Sequence, residues 1–337
     1  MINSTHRVEV FQTEAVLPHP NADSLEILNV FGGYPAVVKA GDYCAGDLAA
    51  YIPPDSLVDS GRPEFSFLAL PGKDPIRRIR ASKLRGILSM GLVMPAPAGS
   101  NVGDDVAGHY GVEHYEPPIS TKQGEAEPGP PGIYAPVYDV ESLRRYPHIL
   151  EDGERVICAE KVHGSSAKYV YVREQDPDDS ETAHCRIARW RYYCGSRTEW
   201  KKESKDNLWW KALENTPGLQ EFLKHNPGYV VYGEVYGQVQ DLKYNGGVNF
   251  RAFDILTPEG RWMDHDEARV NTALEFVPLI ADIPYRLEDV LALAEGKSRL
   301  ADHVREGIVV RPARERTHPE IGRVVLKVVG AGYLERK

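Results

Sequence analysis

The chain has 337 residues, of which 42% are hydrophobic, 26% charged and 9% aromatic, the balance of an ordinary globular protein with room for two domains. A formal net charge of −9 excludes a protein that is basic throughout, so any nucleic-acid surface must be a local patch on an acidic body. The opening MINSTHRVEVFQ lacks a basic segment followed by an apolar run, and no stretch approaches the roughly 18 apolar residues needed to span a bilayer. Cys44, Cys158, Cys185 and Cys194 are scattered and form no CxxC pair, which argues for reduced thiols and against a structural zinc site. The expectation is a cytoplasmic monomer.

Short strands are predicted at 7–16, 25–31, 36–38, 48–52 and 86–93, each rich in β-branched or aromatic residues and set off by Gly, Pro and Asp. Such regular punctuation suggests a small barrel or sandwich over residues 1–115. Within it, Arg77-Arg78-Ile79-Arg80-Ala81-Ser82-Lys83-Leu84-Arg85 is the densest basic run. A charge run is commonly a solvated face, but on a barrel in an acidic protein Arg78, Arg80, Lys83 and Arg85 become candidates for tracking an RNA backbone. The Pro/Gly/Glu-rich segment that begins at Glu116 has little to bury, so a linker is placed at 116–137 and a second domain at 138–337.

In that second domain, strands are predicted at 156–160 and 167–172, joined by a turn at 163–166. Further strands follow at 186–190, 229–236, 247–256, 307–310 and 323–329, with helices at 207–214, 266–274 and 287–295. This mixture is an α+β arrangement.

The chemistry is concentrated in Ala159-Glu160-Lys161-Val162-His163-Gly164-Ser165-Ser166. A lysine directly after a strand, in a turn that ends with glycine, is held rigidly and opens into a cleft. Alone the motif is weak, because a strand-end lysine is usually a solvated surface group. Other elements follow it in order: Glu234 in the apolar strand VVYGEVYG, Phe253-Asp254 at a strand end, Glu306 before an apolar strand, and Lys327 inside RVVLKV. A lysine within a run of valines loses hydration and needs a partner, for which a nucleotide phosphate is apt.

Together these residues resemble the covalent nucleotidyltransferases, the group of DNA ligases, RNA ligases and mRNA capping enzymes. Lys161–Gly164 resembles their motif I, Ser196-Arg197 the arginine motif that follows, Glu234 motif III, Phe253 motif IIIa, Glu306 motif IV and Lys327 motif V. His163, where DNA ligases and capping enzymes usually carry aspartate, points toward RNA ligases. Only ten residues follow Lys327, so a C-terminal OB domain is not expected. An N-terminal OB-like β-barrel before a ligase adenylation domain resembles the RNA ligase family sometimes called family five. The stretch His19-Pro20-Asn21-Ala22-Asp23-Ser24-Leu25 likewise resembles the opening of tRNA-binding OB modules, although a tight turn entering a strand would use the same residues.

The resemblance implies an ATP-dependent RNA ligase working with Mg²⁺ or Mn²⁺ on RNA or RNA–DNA duplexes that present 5′-phosphate and 3′-hydroxyl ends. It implies Lys161 as the nucleophile that takes AMP, with a neutral amine favoured by the positive charge of Lys327 and the metal. Glu160, Val162, Arg197, Glu234, Phe253, Glu306 and Lys327 would hold the nucleotide, and His163, Asp254 and Glu306 the metal through waters. Taken alone, Phe253 would more often be a core residue than a base platform, and Asp254 could equally be a strand-end turn residue. Two positions depart from the family pattern: Ser166 stands where asparagine is frequent, and Val325 and Val329 flank Lys327 where a second lysine is common. They keep a catalytically inactive RNA-binding protein alive as a rival reading, beside a DNA ligase or a capping-type nucleotidyltransferase.

Overall fold

The structure is a computed structural model that describes residues 6–31, 33–115, 124–174, 189–270 and 273–336. Cys185, much of the strand expected at 186–190 and the start of the expected linker lie outside the described residues. Two compact units are present, Met1–Pro118 with Glu141–Ile149 and Ala331–Lys337, and Ile119–Val140 with Leu150–Gly330. Segments 141–149 and 331–337, expected in the second domain, belong by contact to the first. Arg145 forms an ion pair with Glu9, and Leu143 is fully buried.

In the first unit, strands β1 (Glu9–Gln12), β2 (Val16–Pro18), β3 (Leu25–Val30), β4 (Tyr34–Lys39) and β5 (Leu48–Ile52) are followed by β6 (Ser56–Asp59), β7 (Ile76–Arg78), β8 (Ser82–Leu84), β9 (Ile87–Ser89) and β10 (Leu92–Pro95). They pair antiparallel as β1-β5-β10 and β2-β3-β4. The sequence LAAYI explains the central place of β5. Successive side chains point to opposite faces, so Ala50 and Ile52 enter one apolar cluster with Phe65, while Ala49 and Tyr51 enter another with Leu28 and Val30. The strand expected at 86–93 is broken in two at Gly91, which has φ +82° and whose Cβ, if present, would lie 2.3 Å from the Ile52 carbonyl oxygen. The strand expected at 7–16 divides likewise into β1 and β2.

The second unit is built on two sheets. Strands β11 (Arg155–Glu160), β12 (Ser165–Glu174), β13 (Arg189–Gly195), β14 (Val230–Tyr236), β15 (Asn249–Leu256), β16 (Leu279–Pro284), β17 (Gly307–Pro312) and β18 (Leu326–Val329) appear in chain order. One sheet runs β13-β12-β14-β15 and the other β18-β17-β11-β16, all antiparallel. Helices α1 (Leu208–Glu214) and α2 (Pro217–His225) cover the first sheet, burying Trp209, Trp210, Leu219 and Leu223 against Tyr169, Val231 and Phe250. The Asn207 side chain caps α1 by accepting from the Trp209 and Trp210 amides. Sequence reading missed α2, although Pro217 at its first turn and the Leu219/Phe222/Leu223 spacing were available signals. The helix expected at 266–274 is shorter, α3 (His265–Arg269), and opens with a capping box between Asp264 and Glu267. Among the described residues no helix is long and apolar enough to cross a membrane.

The Leu223 side chain is fully buried beneath α2. Leu223→Ala should cost about 2–5 kcal/mol, read as a lower urea midpoint with an unchanged m-value. Val270→Ala, at an exposed position, should stay within about 0.5 kcal/mol of the unsubstituted protein in the same titration.

Candidate active site

The turn between β11 and β12 is fixed by backbone contacts before any side chain is considered. The Lys161 amide donates to the Gly307 carbonyl at 3.0 Å, and the His163 amide donates to the Tyr244 hydroxyl at 2.9 Å. A Cβ on Gly164 would stand 2.1 Å from the Val235 carbonyl oxygen, so only glycine allows the turn to press this closely on β14. The β12–β14 register then sets Ser166 opposite Glu234, on the same face as each other.

Side chains from four segments converge here. Lys161 Nζ donates to Glu306 Oε1 at 2.5 Å, the His163 Nδ1 lies 2.9 Å from Glu306 Oε2, and the His163 Nε2 lies 2.6 Å from Asp241 Oδ1. Burial alone would raise the Glu306 carboxyl, but the Lys161 charge and the His163 hydrogen bond bring it down to about 2. Glu234 takes the opposite course: burial, assisted by the charge of Glu306, pushes it up to about 8 against the pull of Lys161. For Lys161, burial favours the neutral amine, yet Glu306 and Glu234 outweigh it and hold the ammonium above its ordinary value. The expected depression of Lys161 is therefore reversed among the protein's own groups, because the attraction of Glu306 and Glu234 outweighs burial.

A cavity of about 150 Å³ extends from this cluster. Ile157 and Ala159 of β11, Val309 of β17, Val277 and Phe253 give it apolar walls, with Lys161, Ser166 and Glu234 among its polar lining. Glu160 and Val162 also line it. The register of β11 with β17 puts Arg311 beside Ile157, four residues and about 13 Å along the strand from Lys161. Apolar walls with a few convergent polar groups are the usual make-up of a small-molecule site. Phe253 owes its place to a β-bulge: Tyr232 opposes Asp254 and Gly233 opposes Ala252, leaving Phe253 as the extra residue. Its ring packs against Tyr138 at 4.6 Å between centroids.

The remaining expected residues lie as follows. Both Glu160 oxygens are engaged, by the Ser298 hydroxyl at 2.5 Å and the Arg299 amide at 2.7 Å. Lys327 is half-buried on β18 opposite Val309, and therefore on the same face as that lining residue. Arg197 is exposed and paired with Asp139. Asp254 does not fit the metal-holding role expected for it. It is fully buried, with Arg311 at 2.8 Å on one oxygen and both Arg323 at 2.7 Å and the Tyr138 hydroxyl at 2.6 Å on the other. Burial would raise its carboxyl, but the two guanidiniums hold it below the usual carboxylate range. In the first unit, Arg78 is tied to Asp55 at 2.6 Å and Lys83 to Glu335 at 2.9 Å, while Arg80 and Arg85 are exposed.

Sequence reading missed Asp241, Tyr244, Tyr138 and Arg311. For Arg311 a signal existed: a charged residue in Ile308-Val309-Val310-Arg311-Pro312 breaks an apolar strand just as Lys327 does. Asp241 and Tyr244 come from the segment between β14 and β15, whose sequence shows no periodicity to place it.

The Glu234 carboxyl binds a proton more tightly when folded than the ordinary value of 4.5 found in an unfolded chain. Its contribution to stability is thus lost as pH rises from about 4.5 to about 8. Glu234→Gln should remove that slope, so its melting temperature should gain on the unsubstituted protein between pH 5 and pH 8. A constant difference across that window would refute the assignment.

Comparison with known proteins agrees with this geometry. Residues 154–329 match the RNA ligase family, and residues 7–96 match an OB-fold domain. No curated protein matches the chain in sequence. Among solved structures, a ligand-free variant of a Naegleria gruberi RNA ligase is 26% identical, with 98% of each chain covered and a TM-score of 0.77. A variant of the Naegleria gruberi RNA ligase with ATP and Mn is 25% identical, covers 98% of this chain and 99% of that one, and has a TM-score of 0.78. Another with AMP and Mn is 25% identical, with 98% of each chain covered and a TM-score of 0.77. With a ligase match spanning both sheets of the second unit and an OB fold ahead of it, the chain belongs to the RNA ligase family.

Proposed function

We propose that the chain seals RNA 3′-hydroxyl and 5′-phosphate ends at the expense of ATP, through AMP carried on Lys161, and that it acts at nicks in duplexes whose 3′-hydroxyl strand is RNA. The observation that carries the reading is Lys161 Nζ beside an apolar cavity, held by Glu306 and flanked by Glu234. The Naegleria ligase structures with ATP and with AMP support the choice of nucleotide, and the OB domain ahead of the ligase domain supports the choice of end.

Lys161, once deprotonated, forms a bond from Nζ to the α-phosphorus, and the bond to pyrophosphate breaks while the proton leaves to solvent. An RNA 5′-phosphate oxygen then displaces the lysine from that phosphorus. In the last step a 3′-hydroxyl attacks the activated 5′-phosphate and AMP departs. Each step is phosphoryl transfer, so positioning and charge stabilisation dominate. Glu160 and Val162 line the cavity where the base would lie, Phe253 offers a ring to stack on it, and Lys327 is on the face that would meet the phosphates. Arg197 would contact ribose or RNA by releasing Asp139.

Glu306, Asp241 and His163 are hydrogen-bonded into one group, and Glu234 is close enough for Glu306 to raise its carboxyl. Among the described residues no three His, Cys, Asp or Glu side chains are arranged to ligate a metal directly, so Mg²⁺ or Mn²⁺ would be held through waters by Glu306 and His163 together with the nucleotide phosphates. Bound there, such an ion would supply positive charge that offsets the Glu306 carboxylate and steadies the transferring phosphate.

Incubation with α-labelled ATP and Mg²⁺ should label the protein on a denaturing gel, and Lys161→Ala or excess EDTA should reduce the label to background. Labelling by GTP instead would move the reading to capping chemistry, and labelling that survives in Lys161→Ala would remove the lysine from it. For RNA binding, Arg80→Ala with Arg85→Ala should flatten the slope of log affinity against log salt by about 1.4–1.8, the value for two lost phosphate contacts. Arg78→Ala should change it less, because Asp55 already neutralises that side chain. A double variant with an unchanged slope would clear the basic run of the role.

A further inference from the structure

The stretch His19–Leu25 links β2 to β3, and its backbone closes the turn without help from side chains. The His19 amide donates to the Leu25 carbonyl at 3.2 Å, and the Leu25 amide donates to the Ala22 carbonyl at 3.3 Å. The side chains of His19 and Asn21 reach a different part of the unit. His19 is only 6% exposed, and its Nε2 lies 3.1 Å from the Leu84 carbonyl oxygen. The Asn21 Nδ2 donates to the Arg85 carbonyl at 2.9 Å. A carbonyl only accepts, so the imidazole proton is on Nε2, and Nδ1 accepts the Asn21 amide at 3.1 Å. A tight turn alone explains none of these side-chain bonds.

Both carbonyls belong to the tip of the β8–β9 hairpin, inside the basic run. Leu84 pairs with Ile87, which leaves a two-residue turn with Arg85 at φ +47° and Gly86 at φ +94°. Hairpin turns of this kind need positive φ at both positions, a region that arginine seldom adopts. Each strand has three residues, and the two pair only with each other among the described residues. A two-stranded hairpin by itself is marginal in water, so this one depends on what holds it. At its base the Val37 amide donates to the Ser89 hydroxyl at 3.0 Å, and the Met90 amide to the Pro35 carbonyl at 2.8 Å. At its tip the bonds come from His19 and Asn21. From this fixed backbone the Arg85 side chain extends into solvent, whereas Lys83 is engaged by Glu335.

We infer that His19 and Asn21 are positioning residues for RNA: by pinning the Leu84 and Arg85 carbonyls, they aim the Arg85 guanidinium at a phosphate of the RNA backbone. The inference rests on the reading of the basic run as an RNA-binding surface and assigns what organises it. An arginine on a loose hairpin must be ordered when RNA binds, and fixing its backbone beforehand removes that cost. Once the tip is released, affinity falls by the fraction of the time it spends in the binding form. A phosphate contact of this kind sets the register of the RNA and reads no base.

The test is the affinity of the full chain for a nicked RNA duplex with a 5′-phosphate, measured over a series of salt concentrations, with the fold of each variant checked by circular dichroism. Asn21 is exposed, so shortening it opens no cavity. Asn21→Ala should weaken binding about fivefold, the size of one lost hydrogen bond. It should also flatten the slope of log affinity against log salt by up to about 0.9, the value of one phosphate contact. Asn21→Gln keeps the amide donor and should recover much of both. In a chain that already carries Arg85→Ala, Asn21→Ala should change nothing further, because it acts through that side chain. Full affinity in Asn21→Ala overturns the inference, and so do losses that add when the two substitutions are combined. If Arg85→Ala alone leaves affinity and slope unchanged, the RNA-binding reading of Arg85 falls and takes the inference with it.

Discussion

A carboxylate withdrawn from water ties the two sheets of the catalytic unit together. Asp254 stands on β15 of one sheet and meets Arg311 on β17 of the other, with Arg323 and Tyr138 completing its shell. Burying such charges costs several kcal/mol per ion, and the arrangement holds only because each oxygen has a donor. The clamped residues adjoin two residues of the candidate site. Phe253 precedes Asp254 directly, and Glu306 precedes the strand that carries Arg311. The spacing between the Phe253 ring and the carboxylate that holds Lys161 is therefore set in part by this ion pair.

The same logic explains which parts of the site were legible in the sequence. Lys161, Glu234, Glu306 and Lys327 could be read because each is a charged residue next to or inside an apolar strand, where desolvation demands a reason. Their convergence could be read because the order of strands along the chain matched a known family. Asp254 was legible as a carboxylate at a strand but not in its partnership, since its two arginines lie 57 and 69 residues downstream and nothing local links them. His163 was assigned to metal, but its second contact, to Asp241, comes from an irregular segment that sequence patterns cannot position.

For the fold, strong alternation and clear turn signals found most strands, including the central β5, β11 and β14. The errors fall where length or exposure weakens the pattern. β16 escaped because LIADIP is half-exposed and carries an aspartate and a proline, so its pairing with β11 is set by the neighbouring strand and not by its own composition. β6, β7 and β8 are three or four residues each, too short to establish a period. The basic run was visible as composition, but its division into arginine and lysine side chains tied down by Asp55 and Glu335, and others left exposed, required tertiary contacts.

The contact between Lys161 and Glu306 has one more consequence. An amine kept as its ammonium, and pressed against a carboxylate, has no lone pair to offer. Isocyanates, aldehydes and activated acyl groups that would modify a free lysine irreversibly meet a group that cannot attack them. In the proposed reaction the same pair would have to open before adenylation, so that protection of Lys161 between turnovers and a controlled onset of its reactivity would both come from a single 2.5 Å hydrogen bond.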